Sequence, residues 1–172
     1  MENALPKRQT RRLQDYDYAQ NGAYFLTLCT YERFPLFGAI AGEDVGAHLC
    51  VRPHRPDLLI SRWLNELPGK YPGVLVDSVV VMPDHIHLIL VFTDVKAPLP
   101  EIVKWFKTQF TNDYIRAVKA GRFPRFDKHL WQRGYYEHVI RSESELNEIR
   151  AYIRQNPQRW VMKHSGNRGT SV

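Results

Sequence analysis

The sequence predicts a single α+β domain in which helices pack against an antiparallel β-sheet. Segments with strand-like and helix-like patterns are mixed along the 172 residues, and two strand-like segments follow each other with only a short turn between them. The chain contains no internal repeat, low-complexity tract or linker. We therefore expect residues 1–172 to form one domain, with residues 1–13 as a basic arm and residues 161–172 as a loose tail.

The first half of the chain is predicted to hold a strand, a pair of short strands and a helix. Residues 23–31 are rich in aromatic and β-branched residues, which favour a strand. Residues 36–52 fit two short strands around a Gly-Glu-Asp turn. Residues 55–72 carry apolar residues at helical spacing, and Pro68-Gly69 predicts the end of this helix. Its apolar positions are Leu58, Leu59, Trp63, Leu64 and Leu67.

The segment "GVLVDSVVVMPDHIHLILVF" predicts two consecutive strands joined at Met-Pro-Asp. A helix follows over residues 100–121, ended by Gly121, and a strand over residues 130–141. The last helix is predicted over residues 142–157, from a Ser142-x-x-Glu145 capping box to Pro157. The apolar stripe of the middle helix is Ile102, Val103, Phe106, Phe110, Tyr114 and Val118.

Composition and charge argue against several classes of protein and favour others. Hydrophobic residues make up 44% of the chain, which is untypical of a disordered protein. No apolar run approaches the ~20 residues that cross a bilayer, and the N-terminus lacks the apolar segment of a signal peptide. Two cysteines without metal-binding spacing favour a reducing environment, so we expect a cytoplasmic protein with no membrane partner. The net charge is +6, and it is uneven: residues 1–100 carry −1 and residues 101–172 carry +7. This pattern fits either a solvated basic face or a surface that binds nucleic-acid phosphates.

Two histidines stand one residue apart within an apolar strand. Side chains at positions i and i+2 of a strand share a face, so His85 and His87 project together while Ile86 faces the other way. Two neutral imidazoles side by side can share a metal ion. Such a pair also arises by chance, and its place after a Pro-Asp turn is what favours a site.

A further candidate group lies on the last helix. At ~100° per residue, Tyr152 and Asn156 lie one turn apart, beside the apolar stripe of Leu146, Ile149 and Ile153. Spacing alone leaves the alternatives open that Tyr152 is an amphipathic tyrosine at the core edge and that Asn156 is an ordinary residue near a helix end.

Three segments in order, "MPDHIHLIL", "WQRGYYEHVIR" and "AYIRQNPQRW", resemble the REP-associated tyrosine transposases. These are single-strand tyrosine transposases within the His-hydrophobic-His endonucleases. The start, "RLQDYDYAQNGAYFLTLCTYERFPLFG", also looks like the first strand of that family, so the resemblance covers roughly residues 11–160. Asp84 stands where Asn or Glu is commoner in the family.

The resemblance implies a ferredoxin-like or RNA-recognition-like sheet and a metal-dependent reaction on DNA. It implies His85, His87 and Asn156 as ligands of Mg²⁺ or Mn²⁺, and Tyr152 as a nucleophile that forms a 5′-phosphotyrosine. The partner would be single-stranded DNA next to a palindromic repeat that forms a hairpin, and the protein would be a monomer or a homodimer.

The sequence is also compatible with two rival functions: a nucleic-acid-binding module without chemistry, and a metal-dependent hydrolase that uses water. We expect Tyr114 to be a core residue and His138 to be a hydrogen-bonded histidine of the sheet, so neither is a predicted site residue.

Overall fold

The computed structural model describes residues 20–38 and 56–165. Within these ranges the chain forms four strands and three helices, together with one turn of 3₁₀ helix at Tyr31–Arg33. In chain order they are β1 (Gly22–Cys29), α1 (Pro56–Lys70), β2 (Val74–Met82), β3 (His85–Phe92), α2 (Leu99–Lys119), β4 (Tyr136–Ile140) and α3 (Glu143–Ser165).

The strands form one antiparallel sheet in the order β2-β3-β1-β4. The connectivity β-α-β-β-α-β with the first and third strands in the centre is that of a ferredoxin-like fold, to which α3 is added at the end. The predicted α+β class is thereby confirmed. Because β1 and β3 are the central strands, their backbones are hydrogen-bonded to a neighbouring strand on both sides, which fixes where their side chains start.

Each face of the sheet packs against different helices. Helices α1 and α2 lie on one face over a large apolar cluster that includes Leu26, Leu88 and Phe110. On the other face, α3 packs over a small cluster whose buried members are Ile89, Ile140 and Ile153. The alternation of side chains along β3 divides its residues between the two clusters, as period-2 patterning requires.

Both predicted helix ends at proline are wrong. Helix α1 continues through Pro68 to Lys70, and α3 continues through Pro157 to Ser165. Proline removes one backbone N–H and crowds the preceding turn, but it does not end a helix whose further turns gain tertiary contacts. The extra turns of α3 carry Trp160, whose ring packs against the ring of His85.

The strand predicted over residues 130–141 is shorter in the structure. Trp131 forms an isolated bridge with Thr30, and only Tyr136–Ile140 joins the sheet. The predicted capping box is confirmed in part. Ser142 Oγ accepts a hydrogen bond from the Glu145 N–H at 3.1 Å, while the Glu145 carboxylate reaches Arg141 N–H instead of that of residue 142.

Two expectations lie wholly or largely outside the described residues: the arm of residues 1–13 and the pair of short strands in residues 36–52. The loose tail predicted over residues 161–172 is wrong at its start, because residues 161–165 continue α3, and its remainder lies outside the described residues. Among the helices that are described, none is both long enough and apolar enough to span a bilayer.

Candidate active site

A pair of buried histidines projects from β3 beneath α3. His85 opens the strand directly after the Pro83-Asp84 turn, and the two side chains are only 5% and 6% exposed. His85 and His87 lie opposite Cys29 and Thr27 of β1, so both rings point to the face that α3 covers. Ile86, between them, belongs to the cluster on the opposite face. The central strand thus fixes both rings on one side at a set separation.

Hydrogen bonds at Nδ1 orient the two rings. His85 Nδ1 lies 2.5 Å from Asp84 Oδ1, and His87 Nδ1 lies 2.8 Å from Thr27 Oγ1. An ionised carboxylate only accepts, so the proton of His85 is on Nδ1 and its Nε2 offers a lone pair. The two Nε2 atoms are 3.1 Å apart. When the Thr27 hydroxyl accepts from His87 Nδ1, both lone pairs are directed at the space between the rings.

Burial keeps both imidazoles neutral. Desolvation, the neighbouring His85 and the Arg33 guanidinium together lower the pKa of His87 from 6.5 to about 3. Desolvation also lowers the pKa of His85, and it outweighs the Asp84 carboxylate, which acts in the opposite direction. Arg33 Nε lies 3.0 Å from the second oxygen of Asp84, so this carboxylate is engaged on both sides. At pH 7 the rings are therefore in the state that binds cations.

Helix α3 lays one polar face across the histidine pair. Tyr152, Asn156 and Trp160 are each one turn apart and therefore share a face. The ring centroid of Tyr152 is 5.4 Å from that of His87, and the ring centroid of Trp160 is 5.9 Å from that of His85. Asn156 lies between them on the same helix face and is buried. Tyr152 remains 38% exposed, which leaves it open to a ligand from solvent.

An ion pair and a side-chain hydrogen bond link α3 to the sheet. Asp77 is the extra residue of a β-bulge in β2, and its carboxylate receives two hydrogen bonds from Arg150, one of them with Nε–Oδ2 at 2.9 Å. At the first turn of the helix, His138 Nε2 of β4 lies 2.6 Å from Glu145 Oε1. The helix is therefore tied to both edge strands, and its polar face is held in register with the histidines.

The donor set fits a divalent cation. Adjacent ligands of an octahedral ion with bonds of ~2.1 Å are ~3.0 Å apart, close to the separation of the two Nε2 atoms. Across residues 20–38 and 56–165, no three His, Cys, Asp or Glu side chains converge on one point. A third ligand from this part of the chain would thus be a neutral oxygen, and the candidate is the amide of Asn156, which is buried on the helix face that also carries Tyr152 and Trp160.

The residues of this site fall within the range matched by a family model. The model, described as "Transposase IS200 like", matches residues 60–156, which is more than half of the chain. The chain belongs to the IS200-like transposase family. The matched range runs from α1 to Asn156 and includes both histidines and Tyr152.

Two proteins of Haemophilus influenzae are similar to this transposase. One, an uncharacterized protein, is 31% identical over 169 residues, covering 89% of each chain. The other is provisionally named a REP-associated tyrosine transposase; it is 30% identical over 150 residues, covering 82% of this chain and 73% of the relative. The resemblance to REP-associated tyrosine transposases found in the sequence is thereby confirmed.

Two solved structures share the fold. One is a REP-associated tyrosine transposase bound to a REP hairpin, with a TM-score of 0.60 and 19% identity over 87% of this chain and 74% of that one. The other is a protein from Deinococcus radiodurans R1 that is provisionally named a transposase, with a TM-score of 0.51 and 22% identity over 85% of this chain and 97% of that one. Both support the ferredoxin-like architecture described above.

The transposase brings together all four residues singled out in its sequence, while their chemical roles stay predictions. The two residues set aside also lie where they were expected. Tyr114 is fully buried in the larger core and donates its hydroxyl to the Pro124 carbonyl at 3.2 Å. His138 is paired with Glu145, and within the described part of the chain no hydrogen bond or ring contact joins it to the histidine pair.

Three residues around the site were missed in the sequence: Thr27, Trp160 and Arg33. Thr27 acquires its role only through the register of β1 against β3, which a single sequence does not reveal. Trp160 lies beyond Pro157, the predicted end of the helix, and so has no site assignment from the sequence. Arg33 reaches Asp84 from a 3₁₀ turn with positive φ at Glu32 and Arg33, a backbone conformation without a clear sequence signal for these residue types.

Proposed function

We propose that this transposase is a divalent-metal-dependent endonuclease and strand transferase that acts on single-stranded DNA beside palindromic repeat hairpins. The observation that carries the proposal is the convergence of the two Nε2 atoms 3.1 Å apart beneath the α3 face of Tyr152 and Asn156. Family membership supports DNA cleavage and rejoining, and a structural neighbour was solved with a REP hairpin bound.

In this proposal His85, His87 and Asn156 hold Mg²⁺ or Mn²⁺. Two imidazoles and one amide leave coordination positions for phosphate oxygens, and a neutral oxygen ligand suits these ions better than a closed zinc site. When bound, the ion polarises the scissile phosphate and stabilises charge on the departing oxygen. Asp84 and Thr27 would not bind the ion themselves. Their hydrogen bonds at Nδ1 orient the two rings so that both Nε2 atoms are directed at the same point.

Tyr152 is the proposed nucleophile. Its phenolic oxygen attacks phosphorus and forms a P–O bond to tyrosine, while the bond from phosphorus to the 3′ oxygen breaks. The phenol gives up its proton to solvent, and the departing 3′ oxygen takes one up to become a free 3′-OH. The guanidinium of Arg159 lies 5.9 Å from the centre of the Tyr152 ring, where it adds positive charge beside the reacting phosphate.

The covalent 5′-phosphotyrosine conserves the phosphodiester bond energy. A 3′-OH from another strand end can therefore attack the same phosphorus, displace Tyr152 and rejoin DNA without a nucleotide cofactor. Tyr152 is partly exposed while the histidines beneath it are buried, so the phosphate approaches from the open side of α3. The excess of positive charge in residues 101–172 supports binding of the DNA backbone.

The proposal is tested by incubating the protein with single-stranded DNA that spans palindromic repeats beside its own gene. We expect a denaturing gel to show a protein–DNA adduct and a shortened strand with a free 3′ end when Mg²⁺ or Mn²⁺ is present. Chelator should remove both products, and added metal should restore them. Cleavage without an adduct would instead indicate hydrolysis by water, and binding without cleavage would indicate a binding module; either result contradicts the proposal.

A further inference from the structure

A basic groove lies between α2 and the loop that leads into β4. It is lined on the helix by a stripe that includes Lys104, Lys107 and Thr111, and on the loop by Trp131, Arg133 and Tyr135. We call it the α2 groove. Its volume is about 480 Å³, within the range of ~300–1,000 Å³ typical of ligand sites. The helical residues that line it span positions 100 to 112, a length of ~18 Å at the rise of an α-helix.

The groove carries positive charge and no compensating negative charge. Of the side chains that line it, three are Lys or Arg and none is Asp or Glu. Lys104 and Arg133 are exposed, and in the part of the chain that the structure describes neither forms an ion pair with a carboxylate. Cations spaced along an open groove attract a polyanion, because each phosphate that they neutralise releases condensed counterions.

Lys107 forms the floor of the groove and fixes its loop wall. Its ammonium donates to the carbonyls of Gln132 and Gly134 at 3.0 and 3.1 Å, and it lies 5.9 and 5.7 Å from the ring centres of Trp131 and Tyr135. An ammonium has three protons, so one remains for a further acceptor. Desolvation lowers the pKa of Lys107 to about 8, so the group is still mainly charged at pH 7, and an anion beside it would stabilise that charge.

The loop connects the groove to the catalytic face. Gln132 N–H donates to the Cys29 carbonyl at 2.9 Å, and Cys29 lies opposite His85 in the sheet. Directly after the loop, Tyr136 is exposed and its ring packs edge-on against Phe25 on the face that carries the histidines. The groove and the histidine pair thus lie at the same end of the sheet, with the loop between them.

We infer that the α2 groove binds an unpaired segment of the DNA strand, away from the phosphate that is cleaved. The inference rests on the proposed function, because it takes the strand to be the one held at Tyr152. A row of cations beside aromatic and amide side chains is the composition of sites that track a single strand. The length of the groove exceeds what one small anion fills, and its rings favour bases over the side chains of an acidic peptide.

The test measures binding without catalysis. In a Tyr152→Phe background with chelator, fluorescence anisotropy follows a labelled oligothymidylate at several salt concentrations. Lys104→Ala with Arg133→Ala should weaken binding on the order of tenfold and make the salt slope less steep by about 1.4, since each single-strand phosphate contact contributes about 0.7. The matched control, Lys96→Ala with Lys119→Ala, removes the same charge outside the groove and should leave the slope nearly unchanged. Lys107 is left intact because it holds the loop.

Photo-crosslinking locates the strand. A 5-iodouracil oligonucleotide should label Tyr135 or its neighbours in the loop, as mapped by mass spectrometry. The inference would be overturned if the groove variant kept its affinity and salt slope, or if no label appeared in residues 131–135. It would also be overturned if polyglutamate displaced the label and unlabelled oligothymidylate did not. Adduct formation is measured separately, in the protein with Tyr152 intact. Absence of the adduct there would refute the proposed function. A normal adduct there, together with unaltered strand binding in the groove variant, would refute the groove alone.

Discussion

The two faces of the four-stranded sheet differ in what they bury: one packs apolar side chains and the other carries a group of polar ones. On the face of α1 and α2, a large cluster of fully buried aliphatic and aromatic side chains closes the core. On the face of α3, the fully buried apolar cluster is small, and the adjoining positions hold two histidines, a threonine and an asparagine. Burial of apolar area dominates folding stability, so the first face supplies most of the stability and frees the second to carry polar groups.

The comparison also explains how α3 is held. An apolar helix face finds its place by packing, but a helix that presents polar residues to the sheet needs specific partners. Here the partners are Asp77 for Arg150 and His138 for Glu145, one on each edge strand. The position of the candidate nucleophile is therefore set by these two side-chain pairs together with the apolar packing of Ile153.

The largest effect is expected from a pair of neighbours on β3 that face opposite ways. Leu88→Ala should reduce the free energy of unfolding by about 3–5 kcal/mol, because the closed core on its side cannot relax into the cavity. Ile89→Ala removes a similarly buried side chain from the smaller cluster and should cost about 2 kcal/mol, at the low end of such changes. Urea unfolding measures both; equal losses, or a larger loss for Ile89→Ala, would contradict the division of roles.

The next largest effect is expected on folding stability at acidic pH. The pKa of His87 is lower in the folded state, about 3, than in the unfolded chain, 6.5, so between these values the unfolded chain binds the proton more tightly. Stability should fall as pH drops from about 6.5 towards 3, with a slope from this group of about 1.4 kcal/mol per pH unit. His87→Gln should remove that slope from urea unfolding measured in chelator. An equally steep acid limb in His87→Gln would show that burial of this ring is not its cause.

A smaller effect on stability is expected at the ion pair that holds α3. Arg150→Met keeps the aliphatic stem but leaves the Asp77 carboxylate without its main partner, so it should lower the free energy of unfolding. Because Tyr152 follows on the same helix, adduct formation should fall by more than the stability loss explains. Arg154→Met, an exposed position on α3, is the control and should change neither property. A variant of Arg150 with full activity would argue against positioning by this pair.

The smallest effect is expected from a tyrosine on the opposite face. Tyr114→Phe removes one hydrogen bond to the Pro124 carbonyl and should cost about 1 kcal/mol, with adduct formation unchanged. Burial raises the pKa of Tyr114 to about 12, so this phenol is a poor candidate nucleophile. Loss of the adduct in Tyr114→Phe would indicate that the nucleophile lies on the face of α1 and α2, which would contradict the assignment to Tyr152.

The sequence predicted the four strands and three helices that the structure contains, and the two pairs of residues that share a face, because each depends on a local pattern. The site roles of these residues stay predictions. The spacing of His85 and His87 gives a shared face in any strand, and that of Tyr152 and Asn156 gives one in any helix. What could not be predicted depends on tertiary structure. The pairing of Thr27 with His87 needs the register of two strands distant in sequence, and the continuation of α3 past Pro157 needs the contact between Trp160 and His85. The α2 groove likewise needs α2 and a remote loop to meet.

The most direct measurement of the central claim is the covalent adduct formed by Tyr152→Phe beside wild type and Tyr114→Phe. This substitution removes one hydroxyl from a partly exposed ring, so folding and hairpin binding should be retained. With single-stranded repeat DNA and Mg²⁺ or Mn²⁺, a denaturing gel should show the shifted protein–DNA band for wild type and Tyr114→Phe and none for Tyr152→Phe. A persistent band in Tyr152→Phe, with binding and fold intact, would contradict the account.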